Sequence, residues 1–154
     1  MAKITMRLPT DQDIIELADT LRQTDRDELA VVCAYSAREA VLKSVLATDP
    51  DFLFAAHADG KLLCIGGASS PSLLSPVGVP WLLATDEMNK YTQRLTKDAK
   101  RGLRMMLEKW PILTNVIDAR NKTTIRWLKS IGFEFKDTFA VRDNCPVIRF
   151  EMRK

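Results

Sequence analysis

The chain has 154 residues, 46% hydrophobic and 28% charged, enough for one globular domain spanning residues 1–154 to bury a core of its own. A formal charge of +3 is too mild for a nucleic-acid coat or a membrane-surface protein, so any basic effect has to be local. Cys33, Cys64 and Cys145 are odd in number and far apart, which argues against a disulfide framework or a zinc site and for buried or half-buried thiols in a reducing compartment. The start, Met-Ala-Lys-Ile-Thr-Met-Arg, has no apolar signal core, and no stretch approaches the roughly 20 apolar residues of a membrane span. The expected location is cytoplasmic.

Lys3 to Leu8 alternates polar and apolar residues, the mark of a half-buried strand, and Pro9 ends it. Thr10 or Asp11 caps a helix whose apolar stripe is Ile14, Leu17, Ala18 and Leu21. Thr24 and Asp25, followed by Glu28, read as a second cap opening a short helix through Val32. Ser36 to Ala47 is a third periodic segment, with Glu39 placed for a capping box. Phe52 to Ala58 and Lys61 to Ala68 flank Asp59-Gly60, a hairpin turn pair, and Gly66-Gly67 is expected to bend or bulge the second strand. His57, near that turn, reads as a solvated strand-end residue, with a general base as the other reading.

Residues 69–80, rich in Ser and Pro, form a loop before a strand from Val79 to Thr85. Leu95, Ala99, Leu103, Met106, Leu107 and Trp110 follow the helical period, so Thr96 to Trp110 is the longest helix, stopped by Pro111. Ile112 to Ile117 is nearly all apolar, as a strand buried on both faces should be. Asn121 then suits a helix start, Ile125, Leu128 and Ile131 recur at helical spacing, and Gly132 suits a left-handed stop. Phe133 to Val141 and Pro146 to Met152 form a last antiparallel pair around Arg142-Asp143-Asn144. No repeat, low-complexity tract or linker interrupts this order.

The run from Asn121 through a short helix to Gly132-Phe133, and the order of elements from end to end, resemble the GCN5-related N-acetyltransferases. The fold class expected is α+β, an α/β mixed sheet that is mostly antiparallel, of about seven strands, flanked by helices and splayed between strands four and five. In that family the acyl donor lies in the splay, here between Val79 to Thr85 and Ile112 to Ile117. The resemblance therefore implies an acetyl-CoA-dependent N-acetyltransferase, with acetyl-CoA as cofactor and an amine as acceptor. It places Leu83, Ala84 and Thr85 beside the thioester, with an amide near Leu83 or Ala84 polarising the carbonyl. It also places Asn121 on the pantetheine arm, a role compatible with helix capping.

The family grips the diphosphate with a Gln/Arg-x-x-Gly-x-Gly/Ala loop, whose glycines let backbone amides converge on the anion. Aligning Met106-Leu107 with the family's apolar pair puts Asp98, Arg101 and Leu103 at those positions, so the glycines are absent. Lys97, Lys100 and Arg101, with Arg94 and Arg104 near them, are cations that could replace that grip; they also fit the solvent face of an amphipathic helix. Leu128 stands where many members carry the tyrosine that protonates the departing thiolate. Asp86 and Glu87, just past the fourth strand, are the candidates to accept a proton from the amine, or are plain turn residues. No metal-ligand cluster is visible.

Pro80-Trp81-Leu-Leu-Ala-Thr85-Asp86, Thr96-Lys-Asp-Ala99-Lys100-Arg101 and Asn121 to Gly132 also resemble small phage proteins related to the T7 internal virion protein A. That resemblance implies the alternative of a non-catalytic virion or assembly protein that uses the fold as an interaction module. Its partners would then be phage structural proteins, and its location the host cytoplasm or the virion. Nucleic acid is not expected as a partner.

Overall fold

The computed structural model describes residues 1–33, 35–141 and 144–154. In chain order the elements are β1 (Ile4–Arg7), α1 (Asp11–Thr20), α2 (Gln23–Val32), α3 (Ala37–Ala47), β2 (Phe54–Ala58), β3 (Lys61–Ser69), β4 (Val77–Ala84), α4 (Thr92–Lys109), β5 (Ile112–Asp118), α5 (Lys122–Ser130), β6 (Glu134–Ala140) and β7 (Pro146–Arg153). Short 3-10 turns at Pro50–Phe52 and Asp86–Lys90 precede β2 and α4. The strands form one 7-stranded sheet in the order β1-β2-β3-β4-β5-β7-β6, with only β4 and β5 parallel. Among the described residues, no helix is long and apolar enough to cross a membrane.

Local chemistry sets the ends of these elements. Thr10 accepts from the Asp13 amide at 3.1 Å while the Asp13 carboxylate accepts from the Thr10 amide at 2.9 Å, so a capping box opens α1. Ser36 accepts from the Glu39 amide at 3.2 Å to open α3. Asp59 and Gly60 both turn left-handed, with φ of 49° and 81°, which matches the right-handed twist of the β2–β3 hairpin. Gly132, with φ of 114°, ends α5, and the Phe133 amide folds back onto the Leu128 carbonyl at 3.1 Å.

Apolar residues on alternate positions divide the core. Ala55, Ile65 and Leu83 face α1 and α3, where they bury Leu17, Ala18, Leu21 and Val41. Their neighbours Ala56, Cys64 and Ala84 face the other way, against Met88 and Leu95. Farther along that second face, Leu103, Met106 and Trp110 of α4 pack with Ile125 and Leu128 of α5 over Leu113, Ile117 and Phe150. Cys64 is buried, and Cys33 and Cys145 are half-buried.

Several boundaries differ from expectation. Helix α2 starts at Gln23 without a side-chain cap, and Asp25 is buried instead of capping. Helix α4 starts at Thr92, a turn before Thr96, because its first turn is polar and gives no periodic signal. Strand β3 runs to Ser69 and β4 starts at Val77, so the connecting loop shrinks to residues 70–76. Gly66-Gly67 does not bulge: the register shifts between Ala56 and His57. Glycine is needed at position 67 because a Cβ there would lie 2.6 Å from Thr48 Cγ2 and 2.7 Å from the Phe52 carbonyl. Of the expected turn Arg142-Asp143-Asn144, Arg142 and Asp143 lie outside the described residues.

His57 is not solvated. It is 4% exposed, with Nε2 3.0 Å from Asp13 Oδ1 and 3.2 Å from an Arg7 guanidinium nitrogen. Strand β1 and helix α1 close over it, a long-range event that the hairpin pattern does not report.

Candidate functional site

The site originates in a ladder that stops early. Strands β4 and β5 pair only at Val77 with Ile112 and Gly78 with Leu113, and beyond Gly78 they diverge. Asn115 spans the start of the gap, its amide nitrogen donating to the Pro80 carbonyl at 2.8 Å. A cavity of about 790 Å³ opens there, walled by Val79 to Leu83 of β4 and Asn115 to Ile117 of β5. It reaches α2 on one side of the sheet and the facing sides of α4 and α5 on the other. A slot between two strand edges suits a thin chain that can complete the missing backbone bonds.

The far ends of the two strands are held by α2. Asp25 Oδ2 accepts from the Ala84 amide at 2.8 Å, and Glu28 Oε1 accepts from the Asp118 amide at 2.8 Å. Arg22 grips both Asp25 oxygens at 3.2 Å, donates to Asn89 at 3.0 Å, and gives its own amide to the Ala84 carbonyl at 2.8 Å. Burial pushes the Asp25 carboxyl above its ordinary value, against the lowering effect of Arg22 and the Ala84 amide. Burial likewise pushes Glu28 up to about 7, against the lowering effect of the Asp118 amide and with added repulsion from Asp25 and Asp118. Bonds from Arg120, led by one at 2.6 Å, hold Asp118 below the usual carboxylate range despite its burial.

The residues singled out from sequence divide between cavity and surface. Leu83 and Asn121 line the cavity, and Asn121 also caps α5, its side-chain oxygen accepting from the Thr124 amide at 3.3 Å. Ala84 has its amide engaged by Asp25, and the Thr85 hydroxyl is buried against the Leu62 and Leu63 carbonyls at 3.1 Å. By strand alternation the Leu82 amide points to the same edge as that of Ala84, and among the described residues no side chain accepts from it. Arg101 reaches the cavity and pairs with Asp98 at 3.1 Å, whereas Lys97 and Lys100 are exposed and lie off its wall.

Asp86 and Glu87 are not part of this wall. Asp86 is exposed, and Glu87 is paired with Lys90 at 3.1 Å and Lys61 at 3.2 Å, bonds that hold its carboxyl below the usual range. Helix α4 is continuous from Thr92, so the amides from Asp98 to Leu103 are spent on helical bonds and form no anion loop. The amides of its first turn carry no side-chain cap. Near them Trp127 of α5 donates to the Thr96 hydroxyl of α4 at 3.1 Å and ties the two helices together.

Sequence reading missed Asp25 and Glu28 as site residues. The available signal was their spacing: with Leu29 and Val32 they fall on one side of α2, the side that lines the cavity. Acids placed on an inward helix face need partners, and here the partners are two strand ends.

The architecture has many solved counterparts. Ard1 from Thermoplasma volcanium superposes with a TM-score of 0.73 at 17% identity, covering 97% of each chain. Spermidine N-acetyltransferase from Vibrio cholerae, determined with CoA and spermine, gives 0.69 at 11% identity over 97% of this chain and 95% of that one. The putative acetyltransferase yncA from Salmonella typhimurium, with its cofactor acetyl-CoA, gives 0.66 at 11% identity over 97% and 93%. These likenesses identify the fold of the GCN5-related N-acetyltransferases, the mixed sheet opened between β4 and β5. No curated protein matches the sequence. Residues 53–140, from just before β2 to the end of β6, match a family of phage proteins, and because this is more than half of the 154-residue chain, it belongs to the family described as bacteriophage T7, probable scaffold protein Gp13.

Proposed function

We propose that the chain is an acyl-CoA-dependent N-acyltransferase of phage type, with the β4–β5 cavity as its acyl site. The observation that carries this reading is the ladder that ends after two pairs and leaves a cavity with backbone edges on both walls. Acetyl-CoA bound there would supply the activated acyl group. On the chain's side, the β4 edge from Leu82 to Thr85 would align the thioester arm, with Leu83 as wall and the unengaged Leu82 amide facing the carbonyl. Asn121 would hold the arm from the α5 side. The uncapped first turn of α4, from Thr92 to Arg94, would meet the diphosphate, with Arg101, Lys97 and Lys100 lending positive charge around it. Glu87 and Asp86 would stay outside the reaction, near the entrance to α4.

The solved neighbours from Vibrio cholerae and Salmonella typhimurium were determined with CoA or acetyl-CoA, which supports the choice of ligand. Calorimetric titration with acetyl-CoA is the direct test. Saturable heat at micromolar to millimolar ligand is expected, and absence of heat at millimolar ligand defeats the reading.

A second reading is favoured by α4 itself. The unbroken helix removes the family's anion loop, and buried Leu128 stands where a tyrosine would donate a proton. A scaffold or virion protein that binds phage structural proteins through this fold needs neither group. The same titration separates the two, and detection of the chain in purified virions supports the second.

A further inference from the structure

Among the cavity carboxylates, Glu28 is the one that is both half-buried and short of partners, since Asp51, also on the wall, is exposed to solvent. Glu28 Oε1 is pinned by the Asp118 amide at 2.8 Å, while among the described residues no donor meets its Oε2. Asp25, the buried acid on α2, is saturated: Arg22 takes both oxygens and the Ala84 amide takes one of them again. Asp98, across the cavity on α4, is tied to Arg101 at 3.1 Å. The charged groups that act most on Glu28 are Asp25 from its own helix, Arg22 at the cap of that helix and Asp118 from the end of β5, while Lys43 of α3, over the Tyr35 ring at 4.7 Å, and exposed Asp51 also line the cavity. Arg22 neutralises Asp25 and Arg120 neutralises Asp118, so the unbalanced negative charge belongs to Glu28.

We propose that Glu28 is the proton acceptor for a cationic primary amine that enters the cavity from the α2 side. The inference rests on the acyl-transfer reading above. Bound as an ammonium, the amine first gives one proton to water; its nitrogen then bonds to the thioester carbonyl carbon as the carbon–sulfur bond breaks, the second nitrogen proton goes to Glu28 Oε2, and the sulfur leaves as a thiolate that takes up the proton first released to water. Attraction of an ammonium to an unpaired carboxylate in a cavity of low polarity selects charged amines over neutral ones. Because burial holds this carboxyl near neutrality, it is ionised often enough at physiological pH to accept a proton yet basic enough to do so as the new bond forms.

The test compares the parent with Glu28→Gln, which keeps an oxygen for the Asp118 amide and loses the base. Acetyl-CoA is the donor, with spermine and a lysine-containing peptide as acceptors. Calorimetry should give the same acetyl-CoA affinity for both proteins. The variant's kcat/KM should fall at least about 100-fold, and the limb that the parent shows near pH 7 should vanish. In the parent, the Glu28 carboxyl resonance should shift on adding spermine alone. Turnover by Glu28→Gln at the parental rate with the same pH profile, or a Glu28 resonance blind to spermine, overturns the assignment while leaving the acyl-transfer reading intact. Absence of acetyl-CoA binding to the parent removes both.

Discussion

Asp25 and Glu28 lie one turn apart on α2, yet the first accepts from the Ala84 amide of β4 and the second from the Asp118 amide of β5, each at 2.8 Å. Past Gly78 the two strands have no ladder between them, so their facing amides need other acceptors. The α2 acids supply these at the outer ends, and Asn115 supplies a bridge at the inner end. The wedge is thus framed at both ends by side chains, with the middle of each edge left for a ligand.

This framing predicts a cost for Asp25→Ala. The substitution strands a buried amide at Ala84 and a guanidinium whose side chain is only 14% exposed at Arg22. We expect a loss of about 2–4 kcal/mol, with Asp25→Asn losing less because an oxygen acceptor remains. Urea denaturation measures both. A cost below about 0.5 kcal/mol for the alanine variant would mean that the β4 end is held by the sheet alone.

Gly78 makes the last β4–β5 pair, and a Cβ on it would sit 2.6 Å from the Trp110 ring. That ring cannot yield, being 3% exposed and packed on Phe52 with centroids 5.2 Å apart. Gly78→Ala is therefore expected to cost about 1–3 kcal/mol through overpacking at the base of the wedge. The shift in urea midpoint at constant slope is the readout, and an unchanged midpoint would show that the base of the wedge is soft.

How far the sequence exposed all this depends on the range of each interaction. The Asn121 to Gly132 unit was legible because its cap, stripe and stop are local, and each appears where the pattern put it. The hairpin at Asp59-Gly60 was legible for the same reason. The acids of α2 were not, because the partner of Asp25 lies 59 positions away and that of Glu28 lies 90 away. His57 was misread as solvated because its partner Asp13 is 44 positions distant. The start of α4 was missed for a different reason: Thr92, Gln93 and Arg94 bury no apolar side chain and leave no periodic trace.

The Asp13 and His57 pair makes stability depend on acid. Burial pushes Asp13 up, but bonds from Arg7, Thr10 and His57 together outweigh it and hold the carboxyl at about 2, below its ordinary 3.8. A carboxyl lowered on folding stabilises the native state above its unfolded value and loses that contribution as pH falls through the folded value. The contribution at neutral pH is about 2 kcal/mol, lost between roughly pH 4 and pH 2. Asp13→Asn should flatten this acid limb in urea midpoints measured from pH 5 to pH 2; an identical limb in the variant would place the acid sensitivity elsewhere.

Asn121 serves both the helix and the cavity, and two substitutions separate these roles. Asn121→Ala removes the acceptor for the Thr124 amide and should cost about 1 kcal/mol. Asn121→Asp keeps an acceptor and adds negative charge at the start of α5, so it should match or exceed the parent in stability. If the side-chain amide also holds an acyl-CoA arm, both variants should bind acetyl-CoA more weakly, since the aspartate lacks the amide donor and brings a charge toward an anionic ligand. Thermal melting and calorimetry on the same two proteins decide it: weaker binding in Asn121→Asp without loss of stability assigns the cavity role, and unchanged binding leaves Asn121 as a cap alone.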